Sequence, residues 1–191
     1  ADWTLKQWIL DDGTSEDFVL GTNDFTVEAW VKFNSINSND GCIISKHAAS
    51  IPSWVELRLG STSGKILTQV SFNGSSWGVS YQSSDSVTIG RWYHIALVRN
   101  GSVFTTYIDG VANGTATSSS SVATNTSYNT RIGARGGLDQ KLSGYVSNVR
   151  VVNGTALYTA SFNVPTEPLT AVAGTKLLAL QSGTLVDSGA S

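Results

Sequence analysis

Residues 25–33 alternate without a break. Phe25, Val27, Ala29, Val31 and Phe33 fall on one side, and Thr26, Glu28, Trp30 and Lys32 on the other. A period of two is the mark of a strand with one face on a core. Further strands read at 53–59, 65–72, 77–82, 92–100, 103–108, 111–116, 130–133, 142–152 and 176–181, and the apolar residues from Cys42 start another. Helical periodicity is nearly absent. The turns sharpen the picture, because Asn100-Gly101 and Asp109-Gly110 each separate two apolar, β-branched runs. Two-residue hairpins favour these dipeptides, whose central positions take positive φ. They predict a three-stranded antiparallel meander from Trp92 to about Ala116, and Asn73-Gly74 predicts a further strand pair upstream.

Two segments break the pattern. Residues 115–126 are nearly all Ser, Thr, Ala and Asn, which fits a long rim loop or a weak edge strand. Residues 163–174, with Pro165 and Pro168, read as an extended crossover without regular pairing. No internal repeat or linker divides the rest. The expectation is one all-β domain over 1–191, an antiparallel jelly-roll sandwich of two stacked sheets.

Composition narrows the partners. Charged residues make up 14% of the chain against 40% hydrophobic, and the net charge is −2. No basic stripe exists to neutralise phosphates, so no nucleic-acid partner is expected. No apolar run approaches the ~20 residues of a membrane span, so membrane insertion is not expected. The single cysteine, Cys42, excludes an internal disulfide and paired-cysteine zinc sites. A chain without any methionine, even at position 1, suggests a trimmed, processed or excised piece.

Five blocks in series carry a family resemblance: Asp24–Val31 (DFTVEAWV), Arg91–Arg99 (RWYHIALVR), Tyr107–Gly110 (YIDG), Ile132–Gly133 and Leu142–Val151 (LSGYVSNVRV). Their order and spacing resemble the laminin-G-like branch of the concanavalin A-like lectin/glucanase superfamily. The stretch Val149–Thr159 (VRVVNGTALYT), running on to Pro165–Thr170 (PTEPLT), is similar to a narrower group found in marine bacteriophage structural and fibre proteins and in bacterial surface proteins. The resemblance implies a lectin-like fold, an extracellular or virion-surface location and a possible homo-oligomer. It implies as partner either a glycan or cell-surface polysaccharide, or other virion proteins. Many members carry acidic residues just after the glycine corresponding to Gly144; here Ser147 and Asn148 stand there, so a calcium ligand is not carried over from that motif.

Glucanases of this superfamily use a Glu-x-Asp-x-x-Glu arrangement, since retaining hydrolysis needs two carboxylates about 5–5.5 Å apart. No such pattern occurs. Glu28 has Thr26 and Trp30 as same-face neighbours, and Glu56 has Trp54 and Arg58. His94 reads as a hydrogen-bonded strand histidine, His47 as a loop residue without an acidic neighbour, and Cys42 as core. A non-enzyme is expected, with glycoside hydrolysis the remote alternative.

Sugar rings stack on flat aromatic faces while neighbouring polar groups take the hydroxyls. Trp54, Trp77, Tyr81, Tyr128 and Arg135, near loops rich in Ser, Asn and Gly, are the candidate ligand-binding residues. Each Trp is equally readable as a plug closing the sandwich, and Trp30 and Trp92, inside the family's framework blocks, are read as packing. No cofactor is called for. A structural calcium held by Asp17, Asp24 and Asp187 is the one metal considered, against the plainer reading that these residues initiate turns. The expected function is a non-catalytic binding or adhesion module displayed on a phage virion or bacterial surface. The alternative is a purely structural virion part such as a capsid decoration, knob or tail-fibre domain.

Overall fold

The alternating segment 25–33 is a strand at the centre of a sheet, and all five of its predicted inward residues lie in the main core. The computed structural model describes residues 8–9, 16–37, 41–46, 53–60, 63–124, 127–136 and 140–181. Its strands are β1 (Trp8–Ile9), β2 (Phe25–Phe33), β3 (Cys42–Ser45), β4 (Val55–Leu59), β5 (Lys65–Ser71), β6 (Trp77–Ser86), β7 (Trp92–Asn100), β8 (Val103–Ile108), β9 (Val111–Thr117), β10 (Arg131–Ile132), β11 (Gly144–Asn153) and β12 (Thr175–Ala179). They form two six-stranded antiparallel sheets, ordered β1-β10-β3-β4-β5-β6 and β12-β11-β2-β7-β8-β9. The fold is all-β, a jelly-roll sandwich. Among the described residues the one helical element is a 3-10 turn at Glu16–Phe18, and no helix is long and apolar enough to cross a membrane.

The sheets meet across one apolar layer, in which Phe25, Val27 and Phe33 of β2 pack with Ile95 and Leu97 of β7 and with Leu57 and Leu59 of β4. A buried polar link crosses this layer. Thr68 Oγ1 of β5 lies 2.6 Å from Thr106 Oγ1 of β8, and the Tyr81 hydroxyl of β6 lies 3.0 Å from the same oxygen. Buried polar groups persist when paired in this way.

The meander β7-β8-β9 stands where the dipeptides placed it, but its two hairpins differ. Asp109 and Gly110, at φ 50° and 77°, close the Ile108–Val111 pair as a type I′ turn would. At the other end Asn100 pairs with Val103, so the loop is Gly101-Ser102, with positive φ at Gly101 alone. That is the II′ pattern, one residue further on than Asn-Gly suggests. Asn73-Gly74 lies in a longer connection, where Asn73 Oδ1 accepts from the amides of Ser75 and Ser76. In the Ser/Thr-rich stretch, β9 runs on to Thr117 and Val122 bridges Gly21, which combines the edge-strand and rim-loop readings.

The crossover is as extended as its prolines require. Residues 154–174 carry no strand or helix and return as a strap over the outer face of the second sheet. Ala156, Tyr158 and Phe162 pack there on Ala96, Val98 and Tyr107. The strap comes so close that a Cβ on Gly110 would sit 2.0 Å from the Phe162 carbonyl oxygen.

Candidate functional site

The outer face of β11, β2 and β7 is a set of cross-strand rows. Tyr145, Lys32 and Trp92 form one row, Ser147, Trp30 and His94 the next, and Arg150, Glu28 and Ala96 the third. Between the second and third rows β11 bulges, and Asn148 takes φ 51°, a backbone region that Asn tolerates better than most residues.

The third row is a buried ionic floor. Glu28 Oε1 accepts from Arg150 Nε at 2.7 Å, and its Oε2 accepts from the Tyr158 hydroxyl at 2.8 Å and lies 2.9 Å from His94 Nε2. Burial pushes the Glu28 carboxyl up, but the His94 hydrogen bond and the Arg150 charge together outweigh it and hold the group below the usual carboxylate range. Arg150 Nη1 also donates to the Thr170 carbonyl at 2.8 Å, so the floor ties both ends of the strap. Burial and the facing Glu28 charge push the Tyr158 phenol up, keeping it a proton donor.

Beside this floor the strap leaves an open cavity of about 510 Å³, within the size range of small-molecule sites. The half-buried indoles of Trp30 and Trp92 form one wall, and Pro165 and Pro168 of the strap another. Ser147, Asn148, Thr166 and Glu167 bring polar groups to it. The Trp92 and Tyr145 rings lie 6.4 Å apart, and Lys32 Nζ lies 5.9 Å from the Tyr145 ring centre, extending the aromatic strip past the cavity. The wall is well held: Asn148 Oδ1 accepts from the Leu169 amide at 2.8 Å, and Ser147 Oγ donates to the Leu180 carbonyl at 3.0 Å.

The residues singled out from sequence lie elsewhere, and two require correction as ligand contacts. Trp54 is fully buried at φ 67°, its ring set edge-on to Phe18 at 5.7 Å. It is the plug of the alternative reading, and no sugar can reach it. Tyr81 points between the sheets, and burial pushes its hydroxyl up to about 12. Trp77 is half-buried at the start of β6, and Tyr128 is half-buried between β9 and β10. Arg135 places Nε 3.1 Å from Glu56, whose other oxygen lies 2.6 Å from Arg58 Nε.

The aspartates considered for calcium have local partners. Asp17 lies 3.0 Å from Lys176 Nζ, and Asp24 Oδ1 accepts from the Gly101 amide at 2.6 Å, joining the start of β2 to the β7–β8 hairpin. Asp187 and His47 lie outside the described residues. Among the described residues no three His, Cys, Asp or Glu side chains gather as a metal group would. Glu28 and Glu56 are each fully buried in ion pairs, and burial pushes the Cys42 thiol well up.

Trp30 and Trp92, read from sequence as packing, do pack on His94 and Tyr145, and they also frame the cavity. The available signal was the position of Trp30 on the polar side of the β2 alternation, beside Thr26, Glu28 and Lys32.

No curated protein matches the chain in sequence. Solved structures share its fold. A candidate carbohydrate-binding protein from Bacteroides ovatus superposes with a TM-score of 0.63 at 18% identity over 88% of this chain, which spans 50% of that protein's length. The heptameric SAP-like pentraxin of Limulus polyphemus gives 0.60 at 16% identity, covering 90% of this chain and 82% of its own. The CBM40 module of the Ruminococcus gnavus IT-sialidase, solved with α2,3-sialyllactose, gives 0.59 at 11% identity, covering 80% of this chain and 88% of its own. Residues 11–160 match the laminin G model of the concanavalin A-like lectin/glucanases superfamily, and the chain belongs to that superfamily.

Proposed function

We propose that this domain is a non-catalytic glycan-binding module whose sugar site is the cavity between Trp30, Trp92 and the Pro165–Pro168 turn. The observation that carries the reading is the pairing of two half-exposed indoles with hydroxyl and amide groups in one cavity of about 510 Å³. A pyranose offers an apolar face to an aromatic ring and hydroxyls to polar neighbours, which is the complement of these walls. The carbohydrate-related modules among its structural neighbours support a binding role over a catalytic one. So does the sequestration of Glu28 and Glu56, since hydrolysis needs two accessible carboxyl groups across a cleft. The setting we propose is the surface of a virion or a bacterium, resting on the likeness of the 149–170 stretch to phage structural and bacterial surface proteins.

The test is a glycan array at millimolar sugar, followed by titration of the hits into the wild-type chain and Trp92→Ala. The variant is expected to keep its fold and weaken binding roughly tenfold or more, about 1.4 kcal/mol. Silence across the array, or equal binding by the variant, overturns the reading and favours a purely structural virion part.

A further inference from the structure

Glu167 is the charged side chain among the residues lining the Trp30–Trp92 cavity. It is exposed, it takes part in no ion pair among the described residues, and prolines flank its short turn at Pro165 and Pro168. Proline fixes φ, so this carboxylate projects from a stiff piece of backbone. No Lys or Arg stands among the residues lining this cavity. Arg150 is bound to Glu28 and to the Thr170 carbonyl, and Lys32 lies over the Tyr145 ring. The cavity therefore has a free negative charge beside two electron-rich ring faces.

We infer that the preferred ligand is a glycan with free amino groups, its ammonium held between Glu167 and the indoles of Trp30 and Trp92. This deepens the glycan-binding reading and rests on it. An ammonium gains twice here, from a charge-assisted hydrogen bond to the carboxylate and from the negative faces of the indoles. N-acetylation removes the charge and both gains while leaving the stacking. A uronic or sialic acid places its carboxylate against Glu167 with no unengaged cation in the cavity wall to receive it, so acidic sugars are disfavoured.

The experiment titrates the whole chain with three probes of matched length: glucosamine oligomers, N-acetylglucosamine oligomers and oligogalacturonates. Ionic strength is held constant at about pH 6, where the amine is protonated. The deacetylated oligomer is expected to bind tenfold or more tighter than the acetylated one, with the acidic one weakest. Glu167→Gln is expected to erase the preference and retain the acetylated ligand. Equal or tighter binding of the acetylated or acidic probe overturns the inference, as does a preference that survives in Glu167→Gln. Trp92-dependent binding without amine preference removes this inference alone. Failure of every probe, with an array that is also silent, removes the glycan reading with it.

Discussion

The carboxylate of Glu28 and the guanidinium of Arg150 meet through two short contacts, 2.7 Å from Nε and 2.6 Å from Nη2, beneath a strap that shields both from water. Charges so placed cost desolvation, and their value lies in what happens when one is removed. Glu28→Gln leaves Arg150 buried without its counter-charge. A loss of about 3–5 kcal/mol in urea unfolding is expected, with the strap released first. Hydrogen exchange at Leu157 and Leu169, whose amides bind Thr26 Oγ1 and Asn148 Oδ1, reports that release.

Acid acts on the same floor. Because the folded carboxyl of Glu28 lies below the usual range, its stabilising contribution is complete above the ordinary carboxylate value and is lost as pH falls through the lowered one. The urea midpoint of the wild type is expected to drop steeply below about pH 4. Glu28→Gln should lack that component, and parallel curves for the two proteins would refute the assignment.

Gly110 is where the strap presses on a hairpin. Gly110→Ala adds a Cβ at φ 77° and 2.0 Å from the Phe162 carbonyl oxygen. The expected cost exceeds ~1 kcal/mol, and it should appear with faster proteolysis between Thr155 and Thr170. Sugar affinity is expected to fall with it, since Pro165 and Pro168 form part of the cavity wall.

Trp54 and Trp92 should part company experimentally. Trp54→Ala is expected to lose about 3–5 kcal/mol of stability, as a fully buried ring leaves a large hole. Below its unfolding transition it should still bind sugar. Trp92→Ala should show the reverse, and exchange of the two phenotypes would relocate the site.

The strands were legible because their side chains obey a period of two that burial enforces. The inward residues of β2 and the type I′ turn at Asp109-Gly110 follow directly from such local rules. The Asn100-Gly101 turn was displaced by one residue because cross-strand register, set by the whole meander, decides which two residues remain unpaired. The cavity was hidden for a related reason. The alternation shows that Trp30 leaves the core, but not that residues 154–174 return over it and stop short of covering it. Trp54 misled in the opposite direction, since a tryptophan beside a polar stretch looks exposed from sequence, whereas its ring is fully buried edge-on to Phe18.

The bulge in β11 inserts one position that belongs to neither side of the alternation. Val146, Val149 and Val151 keep to the interior whatever stands at 148, so that position can change without repacking the sandwich. Its left-handed backbone and its bond from the Leu169 amide restrict the choice to residues that tolerate the kink and can accept a hydrogen bond, chiefly Asn and Asp. Exchanging one for the other adds or removes a unit of charge at the mouth of the cavity. A single codon can thus change the charge of the cavity lining, while the framework that carries the cavity stays as it is.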